Sequence, residues 1–162
     1  MADTDARDAN TEDDHVVLRD FALHDAPGHL LRRCQQLAVE AFVQEVGADG
    51  LRPRQFALLY VIAMNQGLSQ AELVRLSGID RSTVAEMLGR LVDRGLLSRT
   101  RAGGDGRANA VTLTEAGRQA LMAALPGVAR AQTRILAPLP ADRRAGFVDD
   151  LRILAGLAEE QG

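Results

Sequence analysis

Apolar residues recur at spacings of three and four along most of this 162-residue chain, the period of helices with one buried stripe. Leu30, Cys34, Leu37 and Ala41, flanked by Leu31, Ala38 and Phe42, predict a helix opened by Pro27 and ended near Val46 by Gly47. Pro53 opens a second helix through about Asn65, so apolar all round that it is expected in the middle of the fold. Ser69 and Glu72 have capping-box spacing and start a third, which stops at Ser77-Gly78. Asp80 caps a fourth, about Arg81–Arg94, which stops at Gly95. Two β-prone runs, Leu96–Thr100 and Ala110–Leu113, then flank the tip Gly103-Gly-Asp-Gly106. Thr114 caps a long helical region through Leu121, Leu125, Val128 and Ile135, with a kink expected at Pro126-Gly127. After Pro138-Leu-Pro140 a last helix is predicted from about Asp142 to Glu159. A short apolar segment near Val16–Leu23 has room for one or two helical turns, and residues 1–14 read as a disordered acidic tail.

The order of these elements is two short helices joined by a tight turn and followed by a hairpin, a winged helix-turn-helix. The expected fold is therefore mainly α with a small β-hairpin wing, flanked by N- and C-terminal dimerisation helices. Residues 15–50 form the N-terminal dimerisation region, 51–118 the DNA-binding domain and 119–162 the C-terminal dimerisation helices. The end helices have more apolar surface than a small winged domain can cover, and a second copy is the natural cover.

The Arg81–Arg94 segment divides by face at 100° per residue. Val84, Leu88 and Leu91 point inward, while Ser82, Thr83, Glu86, Arg90 and Asp93 point outward. A helix entering the major groove needs this split between an apolar seam and a face of short hydroxyls and long guanidinium groups. Ser82 and Thr83 lie in the first turn, where free backbone N–H groups meet phosphate, and Arg81 belongs near phosphate as well. Arg90 is long enough for a guanine or a phosphate. In the tip, Arg99, Arg101 and Arg107 crowd three glycines, which suits insertion of Arg107 into a minor groove, with Asp105 bracing an arginine or the loop backbone. Glu86 and Asp93 oppose dense phosphate contact.

The net charge of −3 looks wrong for such a protein until it is divided along the chain. Residues 1–26 carry eight acids against two arginines, whereas residues 69–118 carry eight arginines against six acids. All nineteen basic residues are arginine, which suits bidentate phosphate and guanine contacts and equally fits a GC-rich genome. One cysteine excludes an internal disulfide or a cysteine-built zinc site. His15, His24 and His29 lack metal-ligand spacing. No catalytic triad, phosphate loop or carboxylate pair stands out, so neither enzyme activity nor a cofactor is expected. Without a membrane-spanning run or a secretory signal, a cytoplasmic protein is expected.

Leu68-Ser-Gln-Ala-Glu-Leu73, Gly78-Ile-Asp-Arg-Ser-Thr-Val84, Leu91-Val-Asp-Arg-Gly-Leu-Leu97, Asp105-x-Arg107 and Leu113-Thr114-x-x-Gly117 together resemble the MarR family of bacterial transcriptional regulators. The likeness extends over about Pro27–Leu157, with Gly106 standing where the family often has a second arginine. It implies a homodimer on a palindromic double-stranded DNA operator, in many members a repressor released by a small phenolic or aromatic acid and in some by cysteine oxidation. The family places its effector cleft where the dimerisation helices meet the winged domain. There His29 and Arg33, one helical turn apart, would bind a carboxylate, and Phe56 and Tyr60 would form an apolar, hydroxyl-bearing wall. Cys34 offers a redox alternative beside Arg32 and Arg33, although its place on the apolar stripe reads as a core position, where a thiol is usually a small hydrophobe. A winged helix can also serve as a protein-interaction module without DNA. Salt-dependent duplex binding separates that reading from DNA recognition.

Overall fold

The structure, a computed structural model, describes residues 21–65, 67–100 and 110–157. The expected acidic tail and the tip bearing Arg101, Asp105 and Arg107 lie outside them. The chain divides into two compact units, residues 1–37 and 38–162.

The first unit holds a 3-10 turn at Leu23–Asp25 and the opening turns of helix α1, Pro27–Val46. The spacing of its apolar stripe is helical, but most of the stripe is not buried. Leu30, Leu31 and Leu37 are exposed, Leu37 to 62%, and Cys34 is exposed with them. The core position allowed for Cys34 is therefore corrected: periodicity shows which residues share a face, not what covers it. Only Ala41 and Phe42, at the far end of α1, are buried.

In the second unit the end of α1 is followed by α2 (Pro53–Met64), α3 (Gln70–Ser77), α4 (Arg81–Asp93), β1 (Leu97–Thr100), β2 (Ala110–Leu113), α5 (Glu115–Leu136) and α6 (Arg144–Leu154). A 3-10 turn, Ala141–Arg143, leads into α6. The arrangement is a winged helix-turn-helix with further helices before and after it. Leu58, Leu59, Leu73, Val84, Leu91 and Leu97 are the fully buried centre, each worth about 1.5–3 kcal/mol by removal from water. Helix α2 supplies two of them. It is nonetheless not covered on every side, because Tyr60 and Met64 are exposed.

Local chemistry starts and stops these elements. Ser69 N donates to Glu72 Oε2 at 2.8 Å and Glu72 N donates back to Ser69 Oγ at 3.3 Å, completing the capping box of α3. β1 and β2 pair antiparallel with Leu97 opposite Leu113 and Arg99 opposite Val111. Leu97 and Val111 face the core, while the hydroxyls of Ser98 and Thr112 meet at 2.9 Å on the other face.

Helix α5 runs through Pro126 and Gly127 without interruption. Gly127 also has a packing role there. A Cβ on it would stand 2.5 Å from Glu45 O and 3.0 Å from Val46 Cα, so α5 crosses the end of α1 backbone to backbone. Arg130 fastens this crossing, donating from Nε to Glu45 Oε2 at 2.9 Å and from its terminal nitrogen to Glu45 O at 3.1 Å. Arg134 adds a contact to Glu45 Oε1 at 3.5 Å. These hydrogen bonds, Arg130's first, hold the Glu45 carboxyl below its ordinary pKa.

The last helix is shorter than predicted. It stops at Leu154 because Gly156 turns left-handed (φ +67°) and Leu157 N donates to Arg152 O at 2.8 Å.

Candidate nucleic-acid interface

Asp80 organises the start of α4. Its carboxylate accepts from Thr83 N at 2.9 Å, the capping bond, and from Ser82 Oγ at 2.7 Å. The Ser82 hydroxyl first, then the Thr83 amide, hold the Asp80 carboxyl well below the usual carboxylate range. The proton of Ser82 is thus committed to Asp80, and its oxygen remains free to accept. Ser82 and Arg81 are exposed in this first turn, and Thr83 is half-buried.

The predicted division of faces is present. Val84, Leu88 and Leu91 are buried, whereas Glu86, Arg90 and Asp93 are exposed. Arg90 is not waiting unpaired: one turn back along the helix, Glu86 accepts its guanidinium in an exposed ion pair. Such pairs are worth about 0.3–0.5 kcal/mol, so a phosphate or a guanine edge readily displaces Glu86. Together with Arg94 and Arg99, also exposed, this surface offers hydroxyl acceptors at one end and guanidinium groups along and beyond it. Arg101, Asp105 and Arg107 lie outside the described residues.

The exit of α4 is tied down more tightly than its spacing suggests. Gly95 N donates to Val92 O at 2.8 Å and Leu96 N to Leu91 O at 2.9 Å, with Gly95 left-handed at φ +69°. The carbonyls of these two residues are then gripped by the start of α5. Thr114 Oγ1 donates to Gly95 O at 2.6 Å and Thr114 N to Leu96 O at 3.2 Å. The same Thr114 hydroxyl accepts from Gly117 N at 3.0 Å, capping α5. Sequence reading found the cap and missed the junction, since nothing local signals a bond spanning 19 residues.

The expected effector residues divide between the two units. His29 and Arg33 stand one turn apart in the first. The Nε2 atom of His29 is shielded from solvent and has no hydrogen-bond partner among the described residues. Its ring meets that of His24 edge-on at 5.7 Å. Burial foremost, then the charges of Arg32, His24 and Arg33, lower its pKa and favour the neutral imidazole. Phe56 and Tyr60 belong to the second unit, where their rings stack at 6.0 Å, and Phe42 meets Phe56 edge-on at the same separation. Phe56 is half-buried and Tyr60 exposed. Among the described residues no three His, Cys, Asp or Glu side chains gather as a metal site, and no helix is long and apolar enough to cross a membrane.

Comparison with known proteins finds transcriptional regulators. The family model for the MarR family matches residues 49–108. The repressor NicR of Pseudomonas putida is 30% identical over 135 residues, covering 83% of this chain and 85% of NicR. The PcaV regulator of Streptomyces coelicolor, solved with its natural ligand, is 37% identical with a TM-score of 0.76, covering 86% of this chain and 98% of that one. The repressor CouR bound to a 23-mer DNA duplex is 34% identical with a TM-score of 0.73, covering 82% and 94%. CouR has also been solved with p-coumaroyl-CoA.

Proposed function

Because the chain belongs to the MarR family of transcriptional regulators, we propose that it is a repressor that binds a palindromic operator as a homodimer and is released by a small aromatic carboxylate or a related compound. The observation that carries the reading is the exposed face of α4, with Arg81, Ser82 and Arg90 outward on a helix whose opposite face is locked into the core. Ser82 and Thr83 meet the groove with the first turn of α4, Arg81 meets phosphate, Arg90 reads a base or phosphate, and Arg101, Asp105 and Arg107 act from the wing. Two such helices on a two-fold axis fit half-sites about 34 Å apart or a multiple of it.

The dimer is supported by apolar side chains left exposed in the single chain: Leu30, Leu31 and Leu37 on α1, and Ile153, Leu154 and Leu157 at and just beyond the end of α6. Residues 15–50 and 119–162 are the pairing segments, and 51–118 the DNA-binding domain. The effector reading rests on Arg33, whose guanidinium suits a carboxylate, with His29 one turn before it and its Nε2 without a hydrogen-bond partner among the described residues, and on the stacked Phe56 and Tyr60, suited to an aromatic ring. CouR with p-coumaroyl-CoA supports a related aromatic ligand. Release is a population shift toward a spacing of the two α4 helices that misses the groove, with a coupling of about 1–3 kcal/mol. The exposed thiol of Cys34 supports a second reading, oxidation in place of ligand binding.

Fluorescence anisotropy with duplexes from the promoter region tests the reading. Tight binding to one palindrome that weakens steeply as salt rises is expected, because phosphate contacts release counterions. Absence of binding at low salt would leave the winged helix as a protein-interaction module. Aromatic acids are then added to the complex. Release that His29→Ala and Arg33→Ala abolish supports the effector site, and unchanged release in both variants removes it.

A further inference from the structure

We propose that Thr114 and Gly117 are positioning residues for DNA reading, joining the exit turn of α4 to the first turn of α5 so that the two helices turn as one piece. The inference rests on the reading of α4 as the groove-reading helix. Its ground is a junction in which the backbone N–H and carbonyl groups of Gly95 and Leu96 are all used. Leu96 N and Gly95 N are spent on closing α4, and the carbonyls of both residues accept from Thr114. Gly117 completes the fit by close approach. A Cβ there would lie 2.0 Å from Leu96 O and 2.9 Å from Leu113 Cδ2, so only glycine lets α5 start directly against this carbonyl. The Thr114 hydroxyl does two separable jobs: its lone pair caps α5 through Gly117 N, and its proton holds Gly95 O. An ordinary helix cap needs only the first.

The consequence is directional. Helix α5 runs 22 residues from this junction and crosses the end of α1 at Gly127. Any displacement of α5 therefore reaches α4 through two hydrogen bonds and one close contact, not through a flexible linker. Without the Gly95 bond, α4 would keep its core seam and its outward side chains, but its angle to α5 would be held by one hydrogen bond and the Gly117 contact alone. Operator recognition depends on that angle. Loose electrostatic binding to any duplex does not.

Three variants separate the jobs, each measured for affinity to operator and to a scrambled duplex of equal length, and for melting temperature. Thr114→Ser keeps both acceptor and donor and is expected to match the parent. Thr114→Asp keeps a capping acceptor but has no proton for Gly95 O. It is expected to stay folded and to lose roughly tenfold in the ratio of operator to scrambled affinity, within the range such couplings span. Gly117→Ala is expected to lower the same ratio. A Thr114→Asp ratio within twofold of the parent's, or a Thr114→Ser ratio that falls as far as that of Thr114→Asp, would overturn the proposal. If the parent itself shows no preference for operator over scrambled duplex, it is the DNA-binding reading that fails, and the inference with it.

Discussion

Replacing Gly127 with alanine puts a methyl group where two backbones meet. The new carbon would stand 2.5 Å from Glu45 O and 3.0 Å from both Glu45 C and Val46 Cα, against about 3.5–4.0 Å for comfortable carbon contacts. No side chain can swing aside to make room, so the end of α1 and the middle of α5 must part by on the order of 1 Å. Overpacking of that kind costs about 1–3 kcal/mol. Alanine in a helix interior returns about 0.5–1 kcal/mol over glycine. The net expectation is a loss of about 1–2 kcal/mol, or a few degrees of melting temperature. Gly89→Ala is the matched control, because a Cβ at that point of α4 meets nothing within 4 Å and should gain about 0.5–1 kcal/mol. Urea unfolding of parent and variants at one fixed protein concentration measures both, since self-association shifts apparent stability. If Gly127→Ala matched or exceeded the parent while Gly89→Ala behaved as expected, the close crossing of α1 and α5 would be refuted.

Three further outcomes are expected. Arg90→Ala should weaken operator binding by about 1–3 kcal/mol if it pairs with a base, and Glu86→Gln, which frees Arg90 and removes a negative charge, should strengthen it; anisotropy titrations showing neither change would take Arg90 out of the readout. Asp80→Asn should keep the cap at neutral pH but alter the acid limb of stability. The folded-state pKa of Asp80 is depressed, so its contribution is full above the unfolded value near 4 and fades as pH falls below it; thermal melts of parent and variant that stay parallel from pH 6 to about pH 2 would contradict this. Cys34→Ser should bind and release operator as the parent does with or without peroxide, and a peroxide release that only the parent shows would move sensing from ligand to thiol.

Much of the fold was legible because helix ends are local chemistry. Ser69 with Glu72, Asp80, Gly95 and Thr114 each sit within three residues of the group they satisfy, and each boundary falls where its residue predicts. The inward and outward faces of α4 were legible for the same reason, since periodicity and burial there belong to one short helix. What the chain did not disclose depends on partners distant in sequence. Nothing next to Gly127 in the sequence points to residue 45, and only the packed helices show that contact. The stripe on α1 has the right period but is covered only at its far end, at Ala41 and Phe42, so Cys34 could not be placed by pattern alone. Of the interface, the α4 half is described; Arg101, Asp105 and Arg107 are not among the described residues.

The uniform use of arginine includes places where the shape of the guanidinium is itself used, and the crossing of α1 and α5 is one. At position 130 the guanidinium plane bridges the side chain and the peptide oxygen of a single glutamate. An ammonium group is a point charge without that two-pronged, planar reach. Lysine would serve at many exposed sites, but at Arg130 it would have to surrender either the carboxylate or the main chain, and the tie between the amino-terminal and carboxy-terminal halves would slacken.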